Sequence, residues 1–350
     1  MENSTQIQTK VKWRCPSNIA IVKYWGKKHF QIPCNSSLSI SLSNSFTEVE
    51  AELRPKTEDK IVQLTYYFEG KITDLFSRKV EKFFEDNLEV FPFLKDNAIT
   101  IHSSNSFPHS AGIASSASAF GAISLAMLDL VYGFDNKQID NDFYQKASNL
   151  ARLGSGSACR SIFPSYSMWG ENDKIEGSSN ERAIEVKDIH PNFQNMKDAI
   201  LIIDDEPKKV SSSIGHSLMN NHPYASARFE QANKRTAELV EVLKSGDIER
   251  FIQISESEAL TLHAMMMTSS EYYLLVKPGT IAAIEKIMQF RLERVIPVCF
   301  TLDAGPNLHV LYPQKYQEKV EDFIKNELSD SYKEVIFDEE GKGPEKLETT

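Results

Sequence analysis

The sequence predicts an α+β chain folded as two domains. Three observations lead there. The chain has 350 residues, 41% of them hydrophobic, enough for more than one core. Stretches with strand-like alternation are interleaved with stretches of helical periodicity along its whole length. No internal repeat is present, so the length is not that of a stacked array. The expected boundary lies near residue 190, dividing 1–190 from 191–350.

In order, residues 19–22 (IAIV) suit a buried strand that ends at Lys23. Residues 47–54 (TEVEAELR) and 61–68 (IVQLTYYF) alternate in part, as half-buried strands do. Residues 74–87 put Leu75, Val80, Phe83 and Phe84 at helical spacing, with Asp74 as the expected N-cap. A strand at 98–102 leads into a loop rich in small residues, 103–118. Residues 119–132 are apolar nearly all round, the pattern of a buried helix, and too short to span a bilayer. A polar surface loop is expected at 170–183 and a buried strand at 199–204. Residues 225–263 read as helix broken at Gly246–Asp247, and 280–294 as another helix. Strands at 296–302 and 308–312 flank a turn at 303–307. The charged tail, 338–350, is expected to be partly disordered.

Acidic residues outnumber basic ones, 49 to 39, for a formal charge of −10. That balance gives no reason to expect a nucleic-acid partner. It also requires any site for an anionic substrate to concentrate positive charge locally. Cys15, Cys34, Cys159 and Cys299 form no CxxC pair, which argues against zinc and disulfide frameworks and for a reduced cytoplasm. The first ten residues lack the apolar core of a signal peptide, and no membrane association is expected.

Four strings carry chemistry. In 107–120 (FPHSAGIASSASAF), small residues let backbone N–H groups approach an anion, and the following helix points its positive end there. Ser115, Ser116 and Ser118 add hydroxyls for phosphate oxygens or a metal ion. By composition alone the string is equally a Ser-rich connection, and it is neither a P-loop nor a Rossmann turn. In 15–28 (CPSNIAIVKYWGKK), Lys23 stands beside Tyr24, Trp25 and Gly26; a lone lysine there could simply snorkel. In 151–163 (ARLGSGSACRSIF), Gly154 and Gly156 permit an unusual backbone path. Ser155 and Ser157 can hold anions, and Arg160 can clamp a carboxylate or sit in a surface ion pair. In 300–307 (FTLDAGPN), Asp303 precedes Gly305–Pro306, which suits a plain turn as well as a functional carboxylate.

Taken together and in this order, the strings resemble the motifs of mevalonate diphosphate decarboxylases, a branch of the GHMP kinase superfamily. The resemblance implies a two-domain GHMP kinase fold: an N-terminal ribosomal protein S5 domain 2-like unit and a C-terminal ferredoxin-like α/β sandwich. It implies ATP- and Mg²⁺-dependent decarboxylation of mevalonate 5-diphosphate to isopentenyl diphosphate, with release of ADP, phosphate and carbon dioxide. Lys23 then belongs at the phosphoryl-transfer centre, Asp303 beside the 3-hydroxyl, and Arg160 and Asn18 at the carboxylate. Tyr24, Lys27, Ser155, Ser157 and Ser212 belong with the phosphate tail. Pro108, Gly112, Ser115, Ser116 and Ser118 belong with the ATP phosphates, and Ser116 also with the metal. A cytoplasmic homodimer is implied as well.

KKVSSSIGHS (208–217) resembles the family segment that reaches the diphosphate. LHAMMM (262–267) resembles its helix carrying a histidine; His263 reads as structural and the methionines as core. Three departures stand out. Ser213 occupies a position where the family commonly has arginine, with Lys208, Lys209 or Arg228 as replacements to consider. His109–Ser110 stands for Thr-Ala, and Pro164–Ser165 for Gly-Gly. The first keeps two relatives of the reaction open: decarboxylation of mevalonate 5-phosphate, and phosphorylation without decarboxylation. A catalytically silent homologue is the third reading, opposed by intact charged residues in three motifs.

Overall fold

The computed structural model describes residues 9–108, 113–206 and 212–349, the side chains of 212 and 213 excepted. The chain runs β1 (Lys10–Val22), β2 (Ser37–Pro55), β3 (Leu64–Phe68), β4 (Lys71–Ile72), α1 (Asp74–Asp86), β5 (Asn97–Asn105), α2 (Ser115–Phe134), α3 (Asn141–Gly154), β6 (Tyr166–Trp169) and β7 (Ala183–Glu185). It continues with β8 (Lys197–Ile202), α4 (Ser212–Leu218), α5 (Ala225–Ser245), α6 (Ile248–Thr268), α7 (Pro278–Arg294), β9 (Cys299–Thr301), β10 (Leu308–Tyr312), α8 (Gln317–Glu327), β11 (Glu334–Glu339) and β12 (Glu345–Leu347).

The first sheet has the order β12-β1-β2-β5-β3-β4, with β6 on the free half of β2 and β7 on β6. Its pairs are antiparallel except β3 with β5. Alternation in β2 turns Val49, Ala51 and Leu53 into the core. Glu48 and Glu50 face the other way and pair with Lys12, Arg14 and Lys10 across on β1. The second sheet, β11-β8-β10-β9, is antiparallel throughout. The architecture is therefore α+β with two sheets, as expected.

Helix α2 is buried almost end to end against β1 and β2. It has 20 residues, longer than the apolar stretch alone indicated, and among the described residues it is the one helix long and apolar enough to cross a bilayer. Here it fills the first core. Its buried Asp129 accepts the Trp13 indole N–H at 2.9 Å and the Lys346 ammonium at 2.8 Å.

That ion pair belongs to the main correction. The charged tail, 338–350, expected to be partly disordered, holds the end of β11 and all of β12, and β12 pairs with β1 at the edge of the first sheet. Main-chain pairing, which needs no apolar sequence, orders it. Two smaller corrections concern α1. Its N-cap is Thr73 and Asp74 is the first helical residue; Leu75 is 83% exposed while Val80, Phe83 and Phe84 are buried.

The break at Gly246–Asp247 is where the sequence put it. Gly246 ends α5 at φ +83°, and Asp247 caps α6 by accepting the Arg250 N–H. A second apolar cluster joins Ile19, Ile21, Leu38 and Ile40 of β1 and β2 to Ile200, Leu239 and Phe251. The end of β1 is thus held by both halves of the chain.

Gly246→Ala is expected to destabilise the protein by about 1–2 kcal/mol from the left-handed backbone alone. A Cβ there would also lie 2.4 Å from the His190 ring. Urea unfolding measures the loss; an unchanged midpoint would show that the turn has room to relax.

Candidate active site

Strand β1 delivers Lys23 to the junction of the two halves, where its side chain is 1% exposed. The Lys23 ammonium donates to Asp303 Oδ1 at 2.9 Å and to the Ala20 carbonyl at 2.5 Å. Burial pulls the Lys23 pKa below the usual lysine value, and the Asp303 carboxylate opposes that shift.

Asp303 sits just past β9 in a turn pinned on several sides. The His263 ring contacts the Asp303 carbonyl at 3.1 Å, the Thr280 hydroxyl donates to the Pro306 carbonyl, and Asn307 accepts the N–H groups of Ile203 and Asp204. Burial holds His263 down at about 4, so it is neutral near pH 7. That fits the structural reading of this residue.

Arg160 follows Gly156 in a short 3₁₀ stretch, Gly156–Ile162. It is 2% exposed. Its Nε donates to Ser39 Oγ and its Nη1 to Ser37 Oγ, each at 2.7 Å. Among the described residues no carboxylate lies within ion-pair distance of this guanidinium. Its guanidinium carbon also lies 6.0 Å from the centre of the Trp169 ring, and a buried cation held only by neutral partners is costly unless an anion completes it.

The glycines before Arg160 act differently from the expectation. Neither has a positive φ. They are required by close approach: a Cβ on Gly154 would lie 2.0 Å from the Phe120 ring, and one on Gly156 2.8 Å from Tyr24 Oη. Downstream, Ser165 adopts φ +54° where the family commonly has glycine. Its amide and carbonyl bond to Gly341 and Ser41, and its hydroxyl to Glu340, which holds the turn in that conformation.

Lys23, Arg160 and Asp303 line one cavity of about 550 Å³ together with Tyr24, Lys27, Ser155, Ser157 and Ser116. The structure thus brings together most of the residues singled out in the sequence. Ser116 also lines a second, more apolar cavity of about 500 Å³, as do Ser115, Tyr66, Phe68 and Phe76. The start of α2 lies between the two.

Other expected residues stand elsewhere. Ser118 is fully buried and bonds to Thr47 Oγ1 and the Ser115 carbonyl, closing the first turn of α2. Asn18 lies behind the arginine turn, donating to Ser161 Oγ at 2.8 Å and to the Ser157 carbonyl at 3.3 Å. Pro108 is exposed. Gly112, His109, Ser110, Lys208 and Lys209 lie outside the described residues, as do the side chains of Ser212 and Ser213. Arg228, considered as a replacement for the family's arginine, is instead buried against Glu258 at 2.6 and 3.0 Å.

Sequence reasoning missed that last pair, and it matters. Glu258 on α6 is fully buried. It accepts the Lys23 backbone N–H at 3.0 Å and bonds both Arg228 and Arg235. Lys79 and Lys82 of α1, also missed, rim the cavity. Exposed helix lysines carry no signal in a single sequence. The aromatic lining of the second cavity was hidden inside ordinary strand alternation.

A family profile described as the diphosphomevalonate decarboxylase-like N-terminal domain matches residues 15–181. One described as the mevalonate 5-diphosphate decarboxylase C-terminal domain matches residues 199–348. The diphosphomevalonate decarboxylase of Debaryomyces hansenii is 31% identical over 324 residues, covering 87% of this chain and 80% of that protein. The crystal structure of mevalonate diphosphate decarboxylase from Staphylococcus aureus matches with a TM-score of 0.84 at 27% identity, over 97% of this chain and 98% of that one. A structure described as MDDEF in complex with MVAPP, AMPPCP and magnesium matches with a TM-score of 0.82 at 28% identity, over 97% and 99%.

Glu258→Gln is expected to cost about 3–5 kcal/mol, because it leaves the Arg228 charge buried without its partner. Chemical denaturation reads this directly; a loss below about 1 kcal/mol would mean that the arginine reaches water or another anion.

Proposed function

The chain belongs to the diphosphomevalonate decarboxylase family, and from that premise we propose that it converts mevalonate 5-diphosphate to isopentenyl diphosphate, using ATP and releasing ADP, phosphate and carbon dioxide. One observation carries the reading furthest. Arg160 is a buried guanidinium with serine partners and no carboxylate in ion-pair distance among the described residues, lining the same cavity as Lys23 and Asp303. A substrate carboxylate completes it. Carbon dioxide release separates this reaction from phosphorylation alone, since a kinase for the same substrate would meet the same carboxylate.

The chemistry follows from the problem. A tertiary hydroxyl is a poor leaving group, and its phosphate ester is a good one. Asp303 orients the 3-hydroxyl and takes its proton as the phosphoryl group is transferred. Lys23 offsets charge on that group and donates a hydrogen bond to Asp303 at 2.9 Å. Arg160, fixed by Ser37 and Ser39, keeps the carboxylate aligned with the departing phosphate. The electron pair of the breaking C–C bond becomes the new double bond as phosphate leaves.

The start of α2, with Ser115 and Ser116, suits the ATP phosphates. The aromatic cavity beside it, lined by Tyr66, Phe68 and Phe76, suits the adenine ring. The Ser116 hydroxyl would be the chain's ligand to magnesium, which when bound would neutralise phosphate charge. The proposal extends to a cytoplasmic homodimer; the four free cysteines support a reducing compartment.

Two variants test these roles. Asp303→Asn is expected to retain ATP binding and lose turnover by ~10²-fold or more, the range for an acid–base group. Carbon dioxide release near the wild-type rate would remove Asp303 from the mechanism. Arg160→Lys is expected to lose roughly 10²-fold, since an ammonium cannot reproduce the fork held by two serines. If Arg160→Gln keeps most activity, the carboxylate is held elsewhere.

A further inference from the structure

The tail end of the cavity contains a histidine that no comparison assigns a role. His216, on α4, is 7% exposed and lies against Tyr24 and Trp25, with ring centroids 4.3 and 4.8 Å away. Its Nδ1 accepts the Gly26 backbone N–H at 2.9 Å. An acceptor at Nδ1 places the ring proton on Nε2. Among the described residues no hydrogen bond reaches Nε2, and the ring lines the cavity that holds Lys23, Lys27 and Arg160. The Tyr24 hydroxyl beside it is buried and also without a partner among the described residues. The Tyr24 hydroxyl and the His216 Nε2–H thus share one wall, next to the half-buried Lys27.

We infer that His216 is a specificity-determining residue, whose Nε2–H donates to the phosphate tail of the substrate beside Tyr24 and Lys27. This rests on the reaction proposed above and accounts for one of its gaps. Ser213 stands where the resemblance implies an arginine. Arg228 cannot stand in for it, because it is committed to Glu258. A neutral donor replaces it. Burial and the Lys27 charge push the His216 pKa down to about 3, so the ring stays neutral and keeps the Nε2 proton near pH 7.

Asparagine separates this role from a structural one. His216→Asn keeps an acceptor at the Nδ1 position for Gly26 and loses the Nε2 donor. Its dissociation constant for mevalonate 5-diphosphate, titrated without nucleotide, is expected to rise roughly 10- to 150-fold, the value of one hydrogen bond to a charged group. Its KM for ATP should stay near that of the wild type. His216→Gln, which carries an N–H towards the Nε2 position, should recover most of the loss. Wild-type affinity in His216→Asn would overturn the inference, and so would equal losses in both variants. Carbon dioxide release by the wild type reports separately on the reaction: a chain that binds the diphosphate without releasing carbon dioxide overturns the reaction and leaves the His216 contact to be judged by the titration.

Discussion

The burial of Lys23 is the constraint on which the rest depends. An ammonium almost wholly removed from water must be compensated, and the compensation comes from three directions. Asp303 faces its charge, the Ala20 carbonyl accepts its hydrogen bond, and Glu258 fixes the backbone behind it. These partners lie on the turn after β9, on β1 itself and on α6. One side chain therefore couples the first sheet to the second half of the chain. The apolar cluster that runs from Ile19 to Phe251 makes the same junction out of hydrocarbon.

Electrostatically, the site inverts the protein around it. The chain carries a formal charge of −10, yet Lys23, Arg160, Lys27, Lys79 and Lys82 converge on one cavity. Lys27 is held below the usual lysine value by burial and by the nearby Lys79 charge. Repulsion of this kind is relieved by a bound anion, which favours substrate phosphates there. Arg160 adds the same logic at the other end. Its serine partners fix its plane without neutralising it.

Much of this was legible in the sequence, for definable reasons. A break in a long helical pattern located Gly246, because glycine and a capping aspartate have local physical meanings. Lys23, Arg160 and Asp303 each suited a plain structural reading alone and were singled out by the resemblance of the strings around them; the fold brings them into one cavity. Residues whose roles depend on distant partners were not legible. Glu258 reads as one more helix glutamate until Arg228, Arg235 and the Lys23 amide surround it. The tail read as disordered because a strand paired through its main chain leaves little trace in side chains. Gly154 and Gly156 were flagged for backbone freedom, whereas the rings of Phe120 and Tyr24 are what exclude a Cβ.

The central claim is that one cavity both transfers a phosphoryl group and breaks a carbon–carbon bond. Incubation of the protein with MgATP and mevalonate 5-diphosphate, with ADP, inorganic phosphate and carbon dioxide measured together, tests it most directly. The account predicts that all three appear in equal amounts and at the same rate. ADP formed without carbon dioxide would contradict it, and would leave a kinase whose buried arginine binds the carboxylate without its loss.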